Sequence, residues 1–160
     1  LLDDPGVLSR VMTRIGNVWD KLEWAVGRGN AYLELQFNKL GAQHLTNRAN
    51  IEFAKKTGQT DRLIVTSDSH YPHPAQWKQR ELYKKLGWLN YQEINPDSLP
   101  KSVEELKCEL YPKNHEQVWD SYKKYCKDYS FYDDYIENKI NKILFVLVEF
   151  NFFWGIGGYI

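Results

Sequence analysis

Charge of one sign is not in excess. Lys plus Arg and Asp plus Glu each number 21, so no global field pulls the chain towards nucleic acid, although a local basic groove remains open. Cysteine is scarce. Cys108 and Cys126 lie far apart and outside any CxxC spacing, and they read as free thiols of a reducing compartment. Internal repeats and low-complexity tracts are absent. The chain opens Leu1-Leu-Asp-Asp4, with no initiator Met and no basic flank before an apolar stretch, so a piece of a longer protein without a secretory signal is expected. There is one long apolar run, Ile143 to Ile160, but Glu149 and Asn151 sit in its middle and Gly155, Gly157 and Gly158 follow. A span needs about 20 predominantly apolar residues, so a buried segment is expected there and no membrane. What is abundant is aromatic, with 6 Trp and 11 Tyr. The 160 residues suit one domain or a large piece of one.

Asp4-Pro5 opens the first helix, with Asp as cap and Pro at the first helical position. Val7, Leu8, Val11, Met12, Ile15, Val18, Trp19, Leu22 and Val26 then recur at helical spacing, and Gly27 or Gly29 ends the stripe. Ala31 to Phe37 reads as a strand, with Leu33 and Leu35 on one side and Tyr32, Glu34 and Gln36 on the other. Glu34 and Gln36 either line a polar mouth or face solvent. A helix is expected from about residue 43 to 57, with Leu45, Ala49, Phe53 and Ala54 inward and Gly58 at its end. His44, on this helix, and His115 are expected to face solvent or to cap. Leu63, Ile64 and Val65 form a second, buried strand. Strand, helix, strand at this spacing predicts a right-handed βαβ unit and an α/β fold. Pro74 starts a helix that Gly87 closes. Residues 90 to 101 form a loop. Ser102-Val-Glu-Glu105 is a capping box opening a helix to about Leu110, and Asn114 with Gln117 opens another to about Cys126. Asp133 or Asp134 begins a last helix.

The stretch that carries chemistry is Arg62 to Tyr71. Its polar end, Thr66-Ser-Asp-Ser-His70, follows the strand at once, and the carboxyl ends of parallel strands are where catalytic groups collect. In extended backbone Asp68 and His70 project to the same side. A carboxylate and an imidazole converging on one cation suit zinc, manganese or iron. Asp, Ser and His are also ordinary turn residues, and Asp68 as a helix cap is the plainer alternative. His73 is a third candidate ligand, although Pro72 and Pro74 hold the chain extended there and favour a loop role.

Tyr32-Leu-Glu-Leu-Gln36, a helix ending Thr57-Gly58, and Val65-Thr-Ser-Asp-Ser-His-Tyr71 together resemble the C-terminal half of the PHP (polymerase and histidinol phosphatase) domain of bacterial and phage C-family DNA polymerases, the DNA polymerase III alpha subunits. Leu99 to Leu106 is similar to the family's segment after this motif, and Trp77 to Trp88 with Tyr111 to Tyr125 is similar to phage members. The resemblance covers roughly residues 7 to 140. It implies a partial distorted (β/α)7 barrel over residues 1–95 and a mostly helical segment over 96–142 leading towards the palm domain; the apolar tail over 143–160 departs from the family, which continues there with a polar helix. It also implies a cluster of divalent metals at the strand ends, with Asp68 and His70 matching its last ligand motif, and a metal-dependent 3′–5′ exonuclease or phosphoesterase activity in members with the full ligand set.

Departures limit what is carried over. The family's early His-x-His ligands have no counterpart in this sequence, nor do the palm aspartates that hold magnesium. Magnesium therefore belongs to the parent polymerase and not to this chain. Partners implied are DNA and deoxynucleotides through that parent, and the remaining PHP and palm domains of the same polypeptide, in the bacterial host cytoplasm. Two other readings stand beside it: a freestanding PHP-type phosphoesterase acting on a small phosphate ester, and a metal-free module that only braces a polymerase. Half a barrel has unpaired strand edges, which predicts poor solubility in isolation.

Overall fold

The computed structural model describes residues 2–88 and 99–132. The first helix, α1, spans Pro5–Val26. Asp4 caps it as its sequence dictates: Oδ1 accepts from the Gly6 and Val7 N–H groups at 2.8 and 3.1 Å. It stops where Gly27 takes a φ of 86°, a backbone turn that L side chains resist. Strand β1, Leu33–Gln36, follows, then α2, Gly41–Thr57, ended by Gly58 in the left-handed region. A short 3-10 turn leads into strand β2, Leu63–Thr66. The two strands pair in parallel, Leu33 opposite Leu63 and Gln36 opposite Thr66. Alternation places Leu33, Leu35, Leu63 and Val65 inward. Helix α3 runs Trp77–Trp88 after a 3-10 turn at Pro74–Gln76. Helices α4, Val103–Cys108, and α5, His115–Tyr125, complete the described elements.

The expected barrel is not found among the described residues. Helix makes up 61% of the described residues, and the described strands are two, in a single parallel pair. The βαβ unit is present; the (β/α)7 architecture is not. Part of the physical reason lies at β1. Asn47 on α2 accepts from the Gln36 N–H (3.3 Å) and donates to the Gln36 carbonyl (2.7 Å). Asn50 donates to the Glu34 carbonyl (2.8 Å). Side-chain amides thus occupy the hydrogen-bonding positions that an adjoining strand would need. The expected open edge is sealed here from within, which removes part of the argument for poor solubility.

One core joins the βαβ unit to the later helices. Leu33, Leu35, Phe37, Leu63 and Val65 pack with Trp19 of α1, Ile51 and Ala54 of α2, and Val118, Tyr122 and Tyr125 of α5. This core draws on residues from both sides of the boundary expected near residue 95. Helix α3 ends one residue beyond Gly87, at Trp88. Most of the 90–101 loop, the helix expected from Asp133 or Asp134, and the apolar tail fall outside the described residues. Among the described residues, no helix is long and apolar enough to cross a membrane.

His44 corrects another expectation. It is buried rather than solvent-facing. Its ring lies against Tyr129, 4.2 Å between centroids, and its Nδ1 meets the Tyr132 hydroxyl at 3.2 Å. His115 is exposed at the start of α5. Burial lowers the pKa of His44 below the ordinary imidazole value. The unfolded chain then takes up this proton first, so His44 costs no stability above its unfolded pKa and a growing amount as pH falls below about 6.5. Thermal melting at pH 7.5 and pH 5.5 should show a larger acid-induced loss in the unaltered protein than in His44→Gln.

Candidate functional site

Strand β2 ends at Thr66, and the next five residues hold the candidate site. Asp68 has φ +45°, a conformation that Asp tolerates better than most residues but that still costs energy. The expected convergence of Asp68 and His70 is present, for a different reason. Extended alternation does not bring them together, because the backbone at Asp68 is left-handed; the turn does. Asp68 Oδ2 lies 3.6 Å from His70 Nε2, and both side chains are about half exposed, 51% and 43%.

The turn is stitched to a distant part of the chain. The His70 N–H donates to the Leu110 carbonyl at 2.9 Å. The Lys113 N–H donates to Ser67 Oγ at 3.3 Å. Tyr71, buried beside Cys108 and Leu110, donates its hydroxyl to Glu105 Oε1. Burial, then the Glu105 hydrogen bond and charge, push the Tyr71 pKa far up, so it stays a donor. The Cys108 thiol is pushed up too, by burial first and then by the negative charges of Glu104 and Asp68, which places it in the field of the site. Lys113 is lowered mainly by burial, and its ammonium is held on the Cys108 and Glu109 carbonyls at the end of α4.

The other candidates are placed elsewhere. His73 caps the 3-10 turn before α3, its Nδ1 accepting from the Ala75 N–H at 3.2 Å, which is the loop role its flanking prolines favoured. Glu34 is exposed on the face away from the core and accepts a hydrogen bond from Thr66 Oγ. Gln36 is half-buried opposite Thr66. Tyr71, Glu105, Leu110 and Lys113 escaped the sequence reading. Each acts across more than 30 residues, and no local pattern announces it.

The donor set fits half of a metal site. Two ligands about 2.1 Å from one ion at the tetrahedral angle stand about 3.4 Å apart. The observed 3.6 Å is close to that and long for a hydrogen bond. Oxygen and nitrogen together suit zinc, manganese or iron. Among the described residues no group of three or more His, Cys, Asp or Glu side chains is gathered closely enough to hold an ion. The geometry defines a carboxylate–imidazole pair on a strained turn at the carboxyl end of a parallel strand. Comparison of the chain with protein-family models, curated proteins and solved structures returns no match.

Proposed function

We propose that the chain is a segment of a C-family replicative DNA polymerase, a DNA polymerase III alpha subunit of phage type working in a bacterial cytoplasm, and that Asp68 and His70 hold a divalent cation for phosphodiester cleavage at a DNA 3′ end. The observation that carries the site is the 3.6 Å approach of Asp68 Oδ2 to His70 Nε2 at a strand end, with both groups open to solvent. The sequence likeness over residues 7 to 140 supports the parentage. Asp68 supplies a hard anionic oxygen and His70 a neutral nitrogen, and the two leave coordination positions for further ligands and substrate. A bound zinc, manganese or iron ion would supply Lewis-acid stabilisation of charge on a phosphoryl oxygen. The remaining ligands, and the magnesium of nucleotidyl transfer, belong to other parts of the polymerase.

Titration with Mn²⁺ by calorimetry, on the polypeptide extended upstream to carry the remaining ligands, tests the site. Losing a ligand should weaken binding by at least about 100-fold in Asp68→Ala and His70→Ala, since even supporting residues cost 10- to 100-fold. Variants that bind Mn²⁺ as the unaltered chain does would remove the pair from the metal site and leave the bracing role. Cleavage assays on the polypeptide extended upstream separate the two catalytic readings: single-stranded DNA as the favoured substrate supports the polymerase, a small phosphate ester the freestanding phosphoesterase.

A further inference from the structure

Glu105 departs from the role its sequence position assigns. Ser102-Val-Glu-Glu105 has the form of a capping box, in which the Glu side chain turns back to the N–H of the Ser. Half of that box forms: Ser102 Oγ accepts from the Glu105 N–H at 3.2 Å. The other half does not. The Glu105 carboxylate turns into the protein, where the residue is 2% exposed, and takes the Tyr71 hydroxyl. The Asn114/Gln117 box of α5 makes both of its bonds, at 3.0 and 2.9 Å, so the fold does not forbid the motif. The inward arrangement also has a cost. Glu105 Oε2 is buried with no hydrogen-bond partner, and an unpaired buried carboxylate oxygen is unfavourable. A local rule broken at a cost, beside a strained backbone, marks a functional position.

We propose that Glu105 is a positioning residue for the Asp68–His70 pair and acts on it through Tyr71; the inference rests on reading that pair as a metal site. Tyr71 follows His70 directly in the chain. Asp68 sits at φ +45° and must be held there against relaxation. Three bonds hold residues 67–71: Lys113 N–H to Ser67 Oγ, His70 N–H to the Leu110 carbonyl, and Tyr71 hydroxyl to Glu105. All three end on α4 or on the residues that follow it. Of the three, the Tyr71 bond is the one made between two buried side chains, shielded from competition with water. Helix α4 is therefore part of the site and not a connector beyond it.

Amide hydrogen exchange on the 160-residue chain, without metal, tests this. Tyr71→Phe removes the bond and keeps the ring. The His70 amide should then exchange about tenfold faster relative to the Ala49 amide of α2, the equivalent of one lost hydrogen bond. Mn²⁺ affinity should fall by about tenfold, the range of a supporting residue. Glu105→Gln, made alone, still offers an oxygen to the Tyr71 hydroxyl and should keep both near the unaltered values. A merely structural role would speed His70 and Ala49 together. That result, or an unaltered His70 rate, overturns the inference. Should Tyr71→Phe fail to fold, Glu105→Ala read by the same ratio decides it. If the unaltered chain binds no Mn²⁺, affinity is read on the polypeptide extended upstream, where an absence of binding overturns the metal reading, while the exchange ratio still judges the anchor.

Discussion

Replacing Asn47 by alanine is expected to destabilise the protein by about 3 kcal/mol, from two buried polar groups orphaned at about 1–3 kcal/mol each. Asn47 is fully buried, at 0% exposure, and its amide makes four hydrogen bonds. Two tie α2 to the backbone of β1 at Gln36. A third, at 2.6 Å, donates to the Tyr132 hydroxyl, beyond α5. The fourth comes from Gln43 on the same helix at 2.9 Å. Alanine leaves the Gln36 N–H and carbonyl without their Asn47 partner. The Tyr132 hydroxyl keeps His44 and Cys126 as partners. Asn47→Asp keeps the acceptor but loses the donor and puts a charge beside two oxygens, so it too should be strongly destabilising. Gln43→Ala, which loses a single bond at a half-buried site, should cost about 1 kcal/mol or less. Urea denaturation followed by circular dichroism ranks the three variants; an Asn47→Ala cost no larger than that of Gln43→Ala would refute the account of the sealed edge.

Trp19→Ala is expected to cost about 3–5 kcal/mol, the usual range for truncating a buried aromatic. Trp19 is the one buried residue among the many apolar positions of α1. Its ring meets Phe53 of α2 edge to face, 6.1 Å between centroids, within the main core cluster. Gly16, one turn back, lets Phe53 approach to 3.4 Å of where a Cβ would stand. The attachment of α1 to the rest of the fold thus runs through Trp19, the missing side chain at Gly16 and the half-buried Ile15. Trp24, on the same helix, provides the contrast. It is 88% exposed, so Trp24→Ala should stay within about 0.5 kcal/mol. Equal costs for the two tryptophans, measured by circular dichroism because fluorescence is altered in both, would show that α1 is held elsewhere.

Much of the local structure was legible from residue order alone. Asp4-Pro5, Gly58, Ser102 and Asn114 mark helix ends through hydrogen bonds and backbone angles that involve neighbours within three or four residues. Alternation in Leu33–Gln36 gave the first strand and its inward face, and the apolar run Leu63-Ile-Val65 gave the second strand. The convergence of Asp68 and His70 was also legible, because it joins groups two residues apart, although the left-handed turn that produces it was not. Helical spacing misjudged α1: Val18, Leu22 and Val26 continue its stripe yet are exposed, since periodicity says which residues share a face but not how far a neighbour covers it.

Residue order therefore determined the elements, the βαβ unit and the candidate pair, all set by interactions of short range. Tertiary structure alone decided that asparagines rather than a third strand meet the backbone of β1 at Glu34 and Gln36, that His44 goes inside, and that Glu105 leaves its own helix cap for Tyr71. Each of these is a polar group that takes a partner distant in sequence or on another element. Such choices depend on which surfaces the packed core brings together, and no local pattern encodes that.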